Sequence, residues 1–228
     1  MRKLYISLVS NIIVFYFVGL SNIWTQEQAL NNKNIYPLQD LGFKLIPYNE
    51  DLLYFNDYVL YVLLGITALT IFYQKQYFRE IAFRWSIMLN IMFAIRCITI
   101  PSTILTRPFN PDEEWKTCKT LDYDYNGLLG PFQMLFLGKM TCFDFIYSGH
   151  MSNSVICALI ITKYCQYRAI QVLSWLLCVA ESYFIISSRS HYLVDIEIAV
   201  LLAILIWYVI EYKETISALK NNNEISYV

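Results

Sequence analysis

The chain has 228 residues, 57% of them hydrophobic and 17% aromatic, with a mean hydropathy of +0.42 and only 15% charged residues, against about 25% charged in soluble domains. That balance excludes a soluble globular domain, a disordered chain and a secreted disulfide scaffold. A formal net charge of −1, from 17 Lys plus Arg against 18 Asp plus Glu, provides no basic field to hold nucleic acid.

Crossing a bilayer as a helix takes about 20 mostly apolar residues, and six windows are predicted to do so. Residues 4–24 carry no charge and follow Arg2 and Lys3; with no small-residue cleavage site behind them, they read as an anchored span. Residues 58–74 form the second span. The third, 85–105, is apolar apart from Arg96, and the fourth, 145–162, apart from His150. Residues 169–187 contain Glu181, and 192–212 contain Asp195, Glu197 and Glu211 near their ends. Residues 127–138 are apolar but too short to cross, so they lie on the surface or re-enter. The expected fold is all-α: one polytopic membrane domain over 1–228 with six transmembrane helices and a cytosolic tail at 213–228.

Basic loops stay on the cytosolic side. Nine Lys and Arg, from Arg2 to Lys220, fall in the short segments on one side, and six lie diluted in the longer, acidic loops on the other. Both termini are therefore expected in the cytosol. Among the six cysteines no pair has the C-x₂₋₄-C spacing of a zinc site. Cys97, Cys157 and Cys178 read as packing residues. Cys118 and Cys142 share the lumenal side, as a disulfide or as two thiols, and Cys165 sits at the cytosolic face as a free thiol or an acylation site.

An ionisable group inside a span costs about 2.5 to 3.5 kcal/mol by insertion scales, so each such group asks for a partner or a function. The chain has two histidines, and both fall at the lumenal membrane face: His150 opens the fourth span and His191 the sixth. Asp195, four residues after His191, shares its helical face and can hold one ring nitrogen while leaving the other free. Ser148 and Gly149 before His150 form a small-residue approach through which a phosphate can reach a helix N-terminus.

The segment Cys142-Phe143-Asp144-Phe145-Ile146-Tyr147-Ser148-Gly149-His150 resembles the C-G-D-x₃-S-G-H-T motif of sphingomyelin synthases. His191-Tyr192-Leu193-Val194-Asp195-Ile196 resembles their H-Y-[ST]-x-D-V motif, and Arg84 with Arg96-Cys97-Ile98-Thr99 resembles the arginine-bearing segment of their third span. The three motifs stand in the right order and mark residues 80–200 as a phosphotransferase core. Phe143 replaces the motif glycine, Met151 the threonine after the histidine, and Leu193 a serine or threonine; none of these removes a catalytic atom. The related type 2 phosphatidic acid phosphatases carry K-x₆-R-P, whereas here Arg107-Pro108 is preceded at position 100 by Ile. The transferase branch is therefore the closer match.

The resemblance implies transfer of phosphocholine or phosphoethanolamine from a glycerophospholipid donor to a ceramide acceptor, releasing diacylglycerol, with no cofactor and no metal. His191, oriented by Asp195, is the implied nucleophile, and His150 the acid and then the base; direct transfer with His191 as base is the alternative. Arg189 is the implied neutraliser of phosphate charge. Arg96, about 13 Å of helix rise from the lumenal end of its span, reads either as a second phosphate ligand or as an ion pair with Glu181 or Glu197. Asp144 reads either as a solvated loop residue or as an anchor for the loop holding Ser148. The expected location is the Golgi, the endoplasmic reticulum or the plasma membrane, with the site facing the lumen or exterior. Monomer against homo-oligomer is left open, as are two other readings: a lipid phosphate phosphatase with water as acceptor, and a non-catalytic lipid-binding protein.

Overall fold

Long apolar runs interrupted by polar turns fold into helices that alternate in direction. The computed structural model describes residues 2–31, 38–105, 129–131 and 145–225, and every regular element among them is helical. The order is α1 (Arg2–Asn31), a short α2 (Leu41–Leu45), α3 (Leu53–Tyr73), α4 (Phe78–Ser102), α5 (Gly149–Tyr164), α6 (Arg168–Ser187) and α7 (Leu193–Ile225). Single 3₁₀ turns at Glu50–Leu52 and Lys75–Tyr77 lead into α3 and α4.

Five helices among the described residues are long and apolar enough to cross a membrane: α1, α3, α4, α6 and α7. Of the six windows expected to cross, the fourth is the one whose helix falls short of that length. Residues 145–148 there form a turn rather than helix, and the helix that follows has 16 residues, about 24 Å at 1.5 Å per residue against a hydrocarbon core of about 30 Å. Helix α5 is apolar nearly all round, as a helix buried on all sides must be. Its residues Val155, Ile156, Cys157, Ala158, Ile160 and Ile161 are fully buried, packed with Leu63 of α3, Met88 and Met92 of α4 and Ala199 and Ala203 of α7. Helix α7 runs past the expected end of its span, through Ile225.

Helices α1 and α4 run side by side in the same direction, joined by polar side chains inside the apolar zone. Ser7 Oγ lies 2.7 Å from Ser86 Oγ, and Asn11 Nδ2 donates to Ser86 Oγ at 2.7 Å. Asn90 Nδ2 reaches the Ser7 carbonyl at 2.9 Å, and Ser21 Oγ the Cys97 carbonyl at 3.1 Å. Lipid tails are as apolar as leucine, so hydrogen bonds and close packing, not hydrophobicity, hold such helices together.

One end of the bundle is closed by a charge network. The Arg84 guanidinium is 1% exposed and bonds Glu80 of its own helix at 3.2 Å, Glu211 of α7 at 2.6 Å, and Glu214. Lys163, at the end of α5, lies 2.5 Å from Glu211, and Tyr164 Oη donates to Glu80 at 2.7 Å. Arg84, grouped in the sequence with Arg96, thus belongs to the end of the bundle opposite the histidines. Its carboxylate partners are 31% to 43% accessible, so removing the arginine leaves charges that are not fully buried. Arg84→Ala is expected to cost less than the roughly 3 to 5 kcal/mol of a fully buried pair, read as a lowered unfolding temperature in detergent.

Candidate active site

At the other end of the bundle the turn at residues 145–148 wraps around the start of α7. Asp195, fully buried in the first turn of α7, holds the arrangement together. Its Oδ1 accepts the Ile146 N–H at 3.1 Å; its Oδ2 accepts the Tyr192 N–H at 3.1 Å and faces His191 Nδ1 at 3.3 Å. Its main-chain carbonyl accepts the Ser148 N–H at 3.3 Å. A carboxylate only accepts hydrogen bonds, so Nδ1 carries the His191 proton and Nε2 keeps its lone pair. The ring of Phe145 meets that of His191 edge-on at 5.6 Å between centroids.

The turn itself is strained. Ile146 has φ 50°, a region where a β-branched residue is an outlier, of the kind that clusters at functional sites. It is pinned from both sides, by Asp195 at its N–H and by Thr99 Oγ1 at its carbonyl, 2.6 Å away. The Arg96 guanidinium donates to the next carbonyl, that of Tyr147, whose hydroxyl in turn donates to the Met92 carbonyl. The guanidinium lies against the start of α5, where a Cβ at Gly149 would meet Arg96 Nη1 at an ordinary contact distance of 3.4 Å. Glu181 is not the ion-pair partner of Arg96, because both its buried carboxylate oxygens lack a hydrogen-bond partner.

Ser148 is the N-cap of α5, its Oγ accepting the Met151 N–H at 3.3 Å, and it is fully buried. An N-cap serine satisfies one of the orphan N–H groups of the first turn. Two residues later His150 emerges from the α5 N-terminus, and its Nε2 meets Asp57 Oδ1 at 2.8 Å. Asp57 was not singled out from the sequence. It stands just ahead of the charge-free window that begins at Tyr58 and reads there as a boundary; the available signal was its place on the same membrane face as both histidines.

Arg189 adopts φ 57° in the turn between α6 and α7. Its Nη2 donates to the Phe43 and Ile46 carbonyls, both at 3.0 Å, its Nη1 to the Ile186 carbonyl at 3.1 Å, and its guanidinium stacks 4.2 Å from the Phe43 ring centroid. Burial pulls its pKa below the ordinary arginine value, with Asp40 and Tyr48 opposing. These bonds fasten the 40–46 segment over the turn that carries His191. Asp40 completes the fastening: its Oδ1 caps α2 and its Oδ2 accepts the Leu193 N–H at 2.8 Å.

The structure therefore brings His191, Asp195, Ser148 and Arg96 together through the 145–148 turn, with His150 next along the chain and Arg189 two residues from His191. Asp144, Cys118 and Cys142 lie outside the described residues, as does the 127–138 stretch apart from 129–131.

Residues 141–213 match the PAP2 superfamily C-terminal family. The chain is 30% identical over 188 residues to a rice (Oryza sativa subsp. indica) phosphatidylinositol:ceramide inositolphosphotransferase, covering 76% of this chain and 53% of that protein. It is 27% identical over 177 residues to Phosphatidylcholine:ceramide cholinephosphotransferase 1 of Caenorhabditis elegans, covering 70% of this chain and 36% of the worm protein. It is 24% identical over 208 residues to mouse (Mus musculus) Sphingomyelin synthase-related protein 1, covering 86% of this chain and 42% of the mouse protein. The chain spans about half the length, or less, of these curated relatives.

Proposed function

Since the chain is a sphingomyelin synthase-like member of the PAP2 superfamily, we propose that it is an integral multi-pass membrane transferase that moves a phosphate-bearing headgroup from a glycerophospholipid to ceramide. The reading rests on one observation above the rest: a single buried carboxylate, Asp195, holds Nδ1 of His191 and also fixes the turn that presents Ser148 and His150. Helix dipole and arginine charge at the start of α5 favour a phosphodiester there.

In the proposed reaction His191 Nε2 attacks the donor phosphorus. The bond from phosphorus to the glycerol oxygen breaks, and diacylglycerol leaves with a proton from His150. The positive charge that develops on the His191 ring is balanced by Asp195. His150 then takes the proton of the ceramide primary hydroxyl, whose oxygen bonds to phosphorus as the phosphorus–Nε2 bond breaks. Arg96, held at the Tyr147 carbonyl, supplies positive charge beside the phosphate, and Arg189 does so from the neighbouring turn. Ser148 acts by capping α5 and so aiming its N-terminus. Asp144 joins the proposed substrate-binding set through its place in the Ser148-Gly149-His150 motif. The site faces the lumen or exterior of the Golgi, endoplasmic reticulum or plasma membrane on the charge asymmetry of the loops.

Choline and ethanolamine are the headgroups proposed from the motifs, the sequence leaving inositol open beside them, and the name of the rice relative makes inositol worth assaying. Purified protein given labelled ceramide with phosphatidylcholine, phosphatidylethanolamine or phosphatidylinositol is expected to form a labelled phosphosphingolipid and an equimolar amount of diacylglycerol. Release of phosphate from phosphatidic acid, with no ceramide-derived product from any donor, would replace this reading by the phosphatase.

A further inference from the structure

Each histidine of the site has a carboxylate of its own, and the two carboxylates come from different parts of the chain. Asp195 lies on the same helix turn as His191, whereas Asp57 belongs to the first turns of α3, 93 residues before His150 and outside the 141–213 segment that the family match covers. The two carboxylates also hold different nitrogens. Asp195 takes Nδ1 of His191; Asp57 takes Nε2 of His150.

We propose that Asp57 is a positioning residue for His150: it binds Nε2–H, so that Nδ1 is the nitrogen through which His150 gives and takes the proton in the transfer. This deepens the proposed transferase reading and rests on it for the identity of the reaction. A carboxylate accepts and never donates, so the Nε2 of a neutral His150 must bear the hydrogen and Nδ1 must carry the lone pair. The two histidines then stand in opposite tautomers, His191 offering Nε2 and His150 offering Nδ1. A nucleophile and a proton shuttle need their free nitrogens aimed at different atoms of one phosphodiester, and separate carboxylates fix the two rings independently.

Two further features favour a positioning role over a structural one. The pair is half-exposed, with side chains 43% and 50% accessible, so a substrate can reach it, unlike the buried polar contacts that hold the helices together. The residue before it, Asn56, is buried and donates to Ser188 Oγ at 3.5 Å and Ser190 Oγ at 3.4 Å, in the turn that leads to His191. Consecutive residues at the start of α3 thus touch both histidine-bearing segments. Their placement sets the α3 end as a third wall of the site.

The test uses the fact that the chain has only two histidines. Full-length protein carrying ¹⁵N-labelled histidine gives two imidazole patterns, which His191→Ala assigns. In the neutral state His150 is expected as the Nε2–H tautomer and His191 as Nδ1–H, and Asp57→Ala is expected to mix the tautomers of His150 alone. In turnover, Asp57→Asn is expected to lower kcat by about tenfold to a hundredfold, a fraction of the full general-acid contribution, with KM for donor and ceramide changed less than threefold and the unfolding temperature kept. Asp57→Glu is expected to recover a large part of the loss. An Nδ1–H tautomer of His150 in the parent protein would overturn the proposal. So would unchanged tautomers and an unchanged kcat in Asp57→Ala. Should the parent protein make no phosphosphingolipid from any donor, the transferase reading falls, and the tautomer pattern, which needs no substrate, still decides whether Asp57 orients His150.

Discussion

His191→Ala is expected to lower phosphosphingolipid formation by at least about 10⁴-fold, the scale on which a reacting group is lost rather than a binding contact. On the proposed reading the ring acts as a nucleophile: Asp195 occupies Nδ1, the side chain is only 13% exposed, and Nε2 is left to meet phosphorus. Phe145 meets the ring edge-on, and His191 lies outside the buried core, so truncation is expected to remove little packing. The variant should therefore insert, extract and unfold close to the parent temperature. Turnover within tenfold of the parent, at matched amounts of folded protein, would exclude His191 as the nucleophile.

Asp195→Ala is expected to fail twice. The reaction stops because His191 loses its orientation and the counter-charge for its cationic state. Stability also falls, by about 3 kcal/mol, because two buried main-chain N–H groups and an imidazole N–H lose a charged acceptor that water cannot replace. Asp195→Asn separates the two effects. An amide keeps one acceptor oxygen but turns an NH₂ group toward the remaining donors, so the fold should be partly spared while turnover still drops about 10³-fold or more. The paired measurement is unfolding temperature against kcat in both variants. An Asn variant as active as the parent would mean that Asp195 serves the fold alone.

Charge-free windows located the five long helices and the shorter α5, because each needs an apolar surface along its length whatever its neighbours are. They began the fourth helix four residues early. Phe145, Ile146 and Tyr147 are as apolar as the helix they precede, and only the demand of Asp195 for the Ile146 N–H and of Arg96 for the Tyr147 carbonyl pulls them out of helical conformation. Ser148 before Gly149 did carry the local signal for where α5 begins, as a capping serine does. The His191 to Asp195 contact was legible for the same reason, since four residues make one helical turn. The contact between Asp57 and His150 was not: it joins two helices through tertiary packing, and nothing in the spacing of either segment points to the other. Arg96 illustrates the intermediate case. Its burial was foreseeable, but whether it faced a carboxylate or the start of α5 depended on the path of the turn at 145–148.

The shortness of α5 has a consequence for depth. Lys163 and Tyr164 at one end of the helix join the charge network of Arg84, Glu80 and Glu211, which sets that end level with a polar boundary of the membrane. With about 24 Å of helix against about 30 Å of hydrocarbon, the deficit of about 6 Å falls at the end carrying His150. On the proposed transferase reading, that deficit places the two histidines below the plane of the phospholipid phosphates, at the level where a lipid with only a hydroxyl headgroup rests. A donor phospholipid would then have to dip to be cut while the leaflet thins to meet it, and a ceramide acceptor would arrive at its resting depth. A recess of this kind ranks the two lipids by how far each must travel, before any side chain has touched either of them.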